Sequence, residues 1–156
     1  MTICSQHTTL AVVGTGAMGR GIAQIAAQAG CRVLLLDTRE GAAAEARDAL
    51  GKQWGKLVEK GKMAAAAAAA AQARLEVVAD TYALTYANVV VEAIVENLEV
   101  KRALFRELLD IVSVDCVLAT NTSSLSVTAI AAGTKFPGRV AGFHFFNPVP
   151  LMKVVE

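Results

Sequence analysis

The stretch from Thr9 to Asp37 constrains the fold of this chain more than any other part of the sequence. An apolar run, residues 10–13, leads into the sequence GTGAMG at residues 14–19. A helix-compatible segment, residues 20–29, and a second apolar run, residues 33–36, follow before Asp37. The order of strand, glycine loop, helix and strand predicts a βαβ unit with parallel strands.

Each glycine of this loop has a physical role. Gly14 lets the chain leave the strand in a tight turn, and Gly16 removes a side chain where a pyrophosphate must approach the backbone. Gly19 lets the helix lie close to the sheet. The free N–H groups and the dipole at the start of that helix attract a phosphate group. The loop is therefore typical of a dinucleotide site.

Asp37 strengthens this interpretation because it ends the second strand of the unit. A carboxylate at that position can accept hydrogen bonds from both ribose hydroxyls of an adenosine and repel a 2′-phosphate. The alternative is a glycine-rich turn followed by an unrelated surface aspartate. The position of the loop between a strand and a helix, with the acid in place, favours the dinucleotide site.

Composition limits the other classes. The chain has 156 residues, 54% of them hydrophobic and 19% charged, which suits one domain with a genuine core and not a disordered chain. A net charge of +1 provides no field for nucleic acid or an anionic membrane. Neither is expected as a partner.

The cysteines and the chain start suggest a compartment. Cys4, Cys31 and Cys116 are odd in number, far apart and without a CxxC pair, so neither a disulfide framework nor a zinc or other metal site is expected. Residues 1–8 are short and polar, unlike a signal peptide, and no apolar run reaches membrane-spanning length. A reducing cytoplasm is the default expectation.

Beyond Asp37, helical and apolar segments alternate, which predicts a doubly wound, mostly parallel α/β sheet. Residues 40–62 are helical with a sparse apolar stripe that includes Trp54, and residues 64–71 are eight alanines, the strongest helix formers. These two segments predict a projecting helical hairpin after the second strand. The remaining predicted elements are strands at 74–78, 88–94, 116–119, 139–145 and from 152, and helices at 98–112 and 124–132.

Polar residues follow the later strands, and the ends of parallel strands meet at one edge of a sheet. Glu96, Ser123 and His144 are examples. Each has a simpler interpretation: a charge at a helix start, a helix cap and a core histidine. Their convergence beside a cofactor site favours chemistry, because a neutral imidazole can take a hydroxyl proton and a carboxylate such as Glu156 can fix its tautomer.

Four blocks of the sequence resemble the amino-terminal domain of the 3-hydroxyacyl-CoA dehydrogenases. They are GTGAMGRGIA at 14–23, VEAIVEN at 91–97, NTSSLS at 121–126 and HFFNPVPLMKVVE at 144–156. The resemblance covers essentially the whole chain in order. Its last block is highly specific, whereas many dehydrogenases share the glycine motif.

The resemblance implies a Rossmann sheet and NAD-linked oxidation of a (3S)-3-hydroxyacyl-CoA to the 3-ketoacyl-CoA, a step of fatty acid β-oxidation. His144 would be the general base, Glu156 its orienting partner, and Ser123 a hydrogen-bond donor to the substrate oxygen. Lys60, in the helical hairpin, would contact coenzyme A. The implied NAD-binding residues are Gly14, Gly16, Ala17, Met18, Gly19, Asp37, Glu96, Lys101, Ser123 and Asn147.

The family continues into an all-helical domain that supplies dimer contacts and walls of the substrate pocket, whereas this sequence stops at Glu156. Residues 1–156 are therefore expected to be the NAD-binding domain of a longer homodimeric enzyme, with little activity alone. Two alternatives remain open: a dehydrogenase of a free small 3-hydroxy acid, and a non-catalytic relative like the lens crystallins. The set of His144, Ser123 and Glu156 argues against the second, and the HFFN sequence argues against the first, whose enzymes typically use a lysine there.

Overall fold

A computed structural model describes residues 8–156 of the chain, and the predicted polar start of the chain lies mostly outside this range. The described part forms one six-stranded, all-parallel sheet with helices on both faces. The strands are β1 (Thr9–Val13), β2 (Arg32–Leu36), β3 (Leu75–Val77), β4 (Val89–Glu92), β5 (Val117–Thr120) and β6 (Val140–Gly142). The helices are α1 (Ala17–Gln28), α2 (Ala42–Glu59), α3 (Ala65–Ala73), α4 (Leu98–Ile111) and α5 (Val127–Ala131).

The strand order is β3-β2-β1-β4-β5-β6, so the chain winds outward from β1 in one direction and then from β4 in the other. This is the order of a doubly wound Rossmann sheet, which confirms the predicted fold class. The switch of direction lies between β1 and β4. In such sheets a crevice opens outside the carboxyl ends of the strands at this point, and ligands bind there.

The register of the strands brings their carboxyl ends to one level. Val13 pairs with Leu36 on one side and with Glu92 on the other, and Glu92 pairs in turn with Thr120. Thr120 pairs with Gly142. The segments that follow these strands therefore leave the sheet side by side, which places the predicted site residues near one another.

The strands are buried on both faces, as their continuous apolar runs predict. Successive residues of a strand point to opposite faces, so Val12 packs with Ile22 of α1 and Trp54 of α2, while Ala11 packs in the cluster that contains Phe105 of α4. The α1–α3 side and the α4–α5 side thus form separate apolar clusters around the same sheet. Together they hold the sheet edge that carries the site.

The helical hairpin after β2 consists of α2 and α3. Trp54 and Leu50 are buried in the sheet-facing stripe of α2, so Trp54 is an anchor of the helix, as its spacing predicts. In α3 only Ala71 is buried. The alanine run therefore forms a helix whose other alanines contribute propensity more than packing.

Several boundaries differ from the sequence prediction. β3, β4 and β6 are shorter than predicted, and β5 is shifted by one residue. α5 begins at Val127 with Ser126 as its cap, because the Ser126 hydroxyl accepts the Ala129 N–H at 3.1 Å. The strand predicted from Met152 is reduced to one antiparallel bridge between Phe145 and Val155. A single bridge lacks the neighbouring pairs that a strand needs.

The two cysteines of the described part of the chain are both buried. Cys31 belongs to the apolar cluster on the α1–α3 side of the sheet. Cys116 is a buried free thiol, and burial raises its pKa to about 11. A thiol with that pKa stays protonated near neutral pH, so Cys116 acts as a small hydrophobic residue of the core. Among residues 8–156, no helix has the length and apolarity to cross a membrane.

Candidate cofactor and active site

Two glycines of the loop at 14–19 are required by the packing of the protein itself. Gly14 has a φ of +92°, and a Cβ there would lie 2.6 Å from the carbonyl oxygen of Ala93, in the segment after β4. A Cβ on Gly19 would lie 1.8 Å from the Gly14 carbonyl oxygen. Any side chain at either position would separate β1 from α1 or from β4.

Gly16 is different. Its φ is −62°, which other residues adopt readily, and no heavy atom lies within 4 Å of a Cβ built on it. Gly16 is also the N-cap residue of α1, and among the described residues no side chain caps the helix or places a negative charge in its first turn. The first N–H groups of a helix have no partner within the helix. The space above Gly16 is thus open, positively polarised and suited to a pyrophosphate.

Asp37 lies across the loop from this helix start. Its Oδ2 accepts the Thr15 N–H at 2.7 Å and the Thr15 hydroxyl at 2.8 Å, and its Oδ1 accepts the Arg39 N–H at 3.0 Å. Partial burial raises the pKa of this carboxyl, but these hydrogen bonds and the Arg39 charge outweigh it and hold the pKa below its usual value. Asp37 is therefore a fixed carboxylate at the end of β2.

These features fit a nicotinamide dinucleotide. The open space above Gly16 can admit the pyrophosphate to the start of α1. Asp37, at the carboxyl end of β2, lies where the adenosine ribose of such a cofactor binds. The fit rests on Gly16, whose missing side chain serves no packing purpose within the described residues.

A cleft of about 360 Å³ continues from the glycine loop along the carboxyl ends of β4, β5 and β6. It brings together five of the predicted site residues, which come from four separate segments of the chain. They are Met18, Glu96, Ser123, His144 and Asn147. Ser123 is exposed to the cleft, and its hydroxyl makes no hydrogen bond within the described part of the chain. This hydroxyl is available to a ligand.

His144 and Glu156 form a pair at this cleft. The His144 Nδ1 lies 3.3 Å from the Glu156 Oε2, and the two residues also exchange backbone hydrogen bonds of 2.8 and 3.0 Å. The His144 ring lies against the Phe146 ring, with 4.5 Å between their centroids. The backbone pairing and the ring contact fix the imidazole, and Nδ1 faces the carboxylate. Nε2 then remains for a ligand in the cleft.

Asn121 supports the histidine segment from below. Its side-chain Oδ1 accepts the N–H of Phe145 at 2.9 Å, and Phe145 packs edge-to-face against Phe143. Both aromatic side chains contact the apolar cluster under α1. His144 is thus flanked by two residues that are anchored in the protein, which leaves its own side chain half-buried at the cleft.

Glu96 holds the segment after β5. One of its oxygens accepts hydrogen bonds from the Thr122 hydroxyl, the Ser123 N–H at 3.3 Å and the Ser124 hydroxyl at 3.2 Å. Its other oxygen lies 3.3 Å from the Lys101 ammonium. Burial raises the pKa of Glu96, and these hydrogen bonds and the lysine charge together lower it below the usual value. Glu96 is therefore ionised and holds the backbone of Ser123 in place through a hydrogen bond.

Lys101 and Glu92 form a buried ion pair beneath Glu96. The Lys101 Nζ lies 2.6 Å from the Glu92 Oε1, and the side chains are 1% and 0% exposed. Lys101, which the family resemblance places among the cofactor-binding residues, therefore lies under the cleft instead of along its surface. Glu92 was missed by the sequence analysis. Its signal was a charged residue inside the apolar run of β4, where a carboxylate needs a buried partner.

A second cleft lies between α1, α2 and the segment after the cis peptide bond of Asn147 and Pro148. Arg20, Gln24 and Gln53 provide its polar lining. Lys60, the residue predicted to contact coenzyme A, is exposed at the end of α2 and lies outside both clefts.

Comparison with known protein families identifies the family to which the chain belongs. A model of the family described as 3-hydroxyacyl-CoA dehydrogenase, NAD-binding domain, matches residues 9–156. The chain belongs to this family. The match includes the glycine loop, the Glu96 and Ser123 segments and the His144–Glu156 pair, so every part of the site described above lies inside it.

Curated relatives of the family align with nearly the whole chain. The 3-hydroxyadipyl-CoA dehydrogenase of Escherichia coli is 48% identical over 95% of the chain and 31% of its own length. The 3-hydroxybutyryl-CoA dehydrogenase of Clostridioides difficile is 43% identical over 94% of the chain and 52% of its own length. The chain thus spans between about a third and a half of these relatives.

A solved structure agrees with the fold. A crystal structure of an E. coli 3-hydroxybutyryl-CoA dehydrogenase superposes with a TM-score of 0.92 at 47% identity, over 95% of the chain and 31% of that protein. A likeness at this level covers the sheet, its strand order and the helices around the cleft.

Proposed function

We propose that this chain is the NAD-binding and proton-transfer part of an enzyme that oxidises (3S)-3-hydroxyacyl-CoA to 3-ketoacyl-CoA. The observation that carries the proposal is the His144–Glu156 pair in the cleft that opens from the glycine loop. This position lets a base and a hydride acceptor meet the same carbinol. The family and the names of the relatives agree with this reaction.

The loop and Asp37 hold the cofactor in this proposal. Gly14, Gly16, Ala17, Met18 and Gly19 bind the pyrophosphate through backbone N–H groups, and Asp37 accepts the adenosine ribose hydroxyls. Asp37 is ionised and fixed by Thr15, so a 2′-phosphate would be repelled. The cofactor is therefore NAD, which accepts the hydride from the substrate carbon when bound.

His144 is the general base of the reaction. Its Nε2 takes the proton of the substrate hydroxyl as the C–H hydride leaves the same carbon, and the product is a ketone. Glu156 at Nδ1 holds the tautomer that leaves Nε2 free and stabilises the imidazolium that forms. Removing that carboxylate would weaken both effects.

Ser123, Asn147 and Glu96 complete the site. The free Ser123 hydroxyl donates to the substrate oxygen, and Asn147 and Glu96 flank the nicotinamide end of the cofactor. Lys101 acts on this end from beneath, through its contact with Glu96. Lys60 provides a positive charge for coenzyme A at the end of α2.

The whole protein is proposed to be a cytoplasmic homodimer that acts on an acyl-CoA without a nucleic-acid or membrane partner. The near-neutral net charge of this chain supports the expected absence of nucleic-acid and membrane partners. The relatives act on hydroxybutyryl and hydroxyadipyl thioesters by name, so the proposal leaves acyl-chain length to the rest of the protein.

Calorimetric titration of the 156-residue chain with NADH and with NADPH tests the cofactor part. We expect NADH to bind at least about tenfold more tightly, because the Asp37 carboxylate accepts from one nucleotide and repels the other. Equal binding of the two nucleotides, or binding of neither, would contradict the proposal.

Acetoacetyl-CoA and free acetoacetate, added to the NADH complex, test the substrate part. We expect slow loss of the nicotinamide absorbance with the thioester alone. The His144→Ala variant should abolish this loss and still bind NADH. Turnover of free acetoacetate at the same rate would instead favour a dehydrogenase of small free acids.

A further inference from the structure

Glu92 is a fully buried carboxylate whose hydrogen-bonding capacity is used by three different parts of the site. Its Oε1 accepts the Lys101 ammonium at 2.6 Å and the N–H of Ile94 at 2.8 Å. Its Oε2 accepts the hydroxyl of Thr120 at 2.7 Å. Glu92 thus joins the end of β4, the end of β5 and the first turn of α4.

Each of these contacts leads to a surface of the cleft. Ile94 lines it directly, next to the Ala93 carbonyl that lies over Gly14. Thr120 precedes the segment that carries Ser123. Lys101 reaches Glu96, which in turn holds Ser123 by its N–H. Two routes therefore connect Glu92 with Ser123, one through β5 and one through the Lys101–Glu96 contact.

A buried ion pair is poor evidence of a stabilising role, because the desolvation of both charges offsets most of their attraction. An apolar pair of similar volume would fill the same space under α4. The Glu92–Lys101 pair is instead placed where fixed charge and fixed hydrogen bonds orient the cleft. Its location at the switch of the sheet, beside the loop that binds the cofactor, indicates a role in the site.

We propose that Glu92 is a positioning residue for the nicotinamide end of the cofactor. Through Lys101 it holds Glu96, and through Thr120 and Ile94 it holds the backbone on both sides of the cleft. The inference rests on the proposed function, since it assumes that the cleft takes the nicotinamide. Glu92 itself is too deeply buried to touch a ligand.

The test compares two ligands on the same variant. NADH occupies the entire proposed site, whereas ADP has only the adenosine and diphosphate groups that bind at the glycine loop and Asp37. In Glu92→Gln we expect the NADH dissociation constant to rise about tenfold, the equivalent of one lost charge-assisted hydrogen bond. The ADP dissociation constant should change by less than about twofold.

Two control variants separate positioning from stability. Leu108→Ala removes a buried side chain from the same helix, so it lowers the unfolding midpoint without touching the network. Glu99→Gln removes the charge of an exposed ion pair with Arg102 on that helix. Both controls should bind NADH and ADP as the parent chain does.

If Glu92→Gln does not fold, Thr120→Val replaces it as the test. This variant keeps the ion pair between Glu92 and Lys101 and removes the hydrogen bond from the Thr120 hydroxyl to Glu92. Its affinity for NADH should fall by less than that of Glu92→Gln, and its affinity for ADP should again stay unchanged. An unchanged NADH dissociation constant in the variant that folds would overturn the positioning role. An equal loss of affinity for ADP would overturn it too, as would the same loss of NADH affinity in Leu108→Ala. A parent chain that binds ADP and not NADH would overturn the proposed function and the inference together.

Discussion

Asp37 is oriented by the protein before a nucleotide reaches it. Thr15 donates to it twice and Arg39 once, so the carboxylate needs no rearrangement to accept ribose hydroxyls. We expect Asp37→Ala to weaken NADH binding by about a hundredfold or more, in the range of two hydrogen bonds to a charged group. The preference for NADH over NADPH should shrink in parallel. Calorimetry measures both, and an unchanged preference would assign the discrimination to another residue.

The depressed pKa values of Asp37 and Glu96 predict a pH dependence of stability. A carboxyl whose pKa is lower in the folded chain stabilises the fold fully above its unfolded pKa, about 3.9 for Asp and 4.3 for Glu. This contribution is lost as the pH falls through the lower folded value. Urea unfolding should therefore show an acid decline that is shallower in Asp37→Asn and Glu96→Gln.

Glu40→Gln is a suitable control for this measurement, because Glu40 is exposed and makes no ion pair within residues 8–156. Its acid decline should match that of the parent chain. If the free energy of unfolding falls alike with acid in the parent and in all three variants, the hydrogen bonds to Asp37 and Glu96 contribute nothing to the loss of stability at low pH.

Single residues also mark the limit of prediction from sequence. The contact between His144 and Glu156 was anticipated, because a recognisable block of sequence contains both. The burial of Lys101 was not, since it depends on Glu92 and on the level register that puts Thr120 beside it. Local pattern makes a lysine at the start of an amphipathic helix look exposed. Only the assembled sheet shows that its partner lies beneath it.

At the scale of elements, the loop between β1 and α1 has two glycines that the packing requires, Gly14 and Gly19, and a third, Gly16, that we assign to the ligand. Gly16→Ala adds a methyl group to open space at an ordinary φ, so we expect its free energy of unfolding to stay within about 0.5 kcal/mol of the parent. NADH binding should fall at least about tenfold, because the methyl group occupies the path of the pyrophosphate.

Gly19→Ala is the matched variant. Its added Cβ meets the Gly14 carbonyl at 1.8 Å, so the loop must shift, and we expect a loss of about 3 kcal/mol or more in the free energy of unfolding. Thermal melts and NADH titrations of the two variants provide the comparison. Equal destabilisation of both would mean that the space above Gly16 is needed by the protein itself.

The elements were predicted well where the pattern is local and poorly where it is not. The glycine loop, the α2 stripe with Trp54 and the apolar strands each have their own periodicity. The last strand did not form, because Val155 finds only Phe145 as a pairing partner. Strand length depends on neighbours, and no stretch of sequence contains that information by itself.

At the scale of the whole molecule, ligand binding at the switch between β1 and β4 should stabilise the entire sheet. NADH at about a hundred times its dissociation constant adds about 2.7 kcal/mol to the free energy of unfolding. For a domain of this size this corresponds to a melting temperature roughly 5–10 °C higher. The shift should fall to about half or less in Gly16→Ala, because a site at least about tenfold weaker contributes at most about 1.4 kcal/mol at the same NADH concentration. A melting temperature that NADH does not change in the parent chain would argue against an NADH site in the folded protein.

The sheet ends on both sides in very short strands. β3 and β6 have three residues each, whereas the central β1 and β2 have five. An exposed strand edge is a template for pairing with another chain, and a short edge offers few unpaired groups to such a partner. The short edges therefore limit edge-to-edge pairing with another chain, which the continuous apolar runs of the interior strands would otherwise favour.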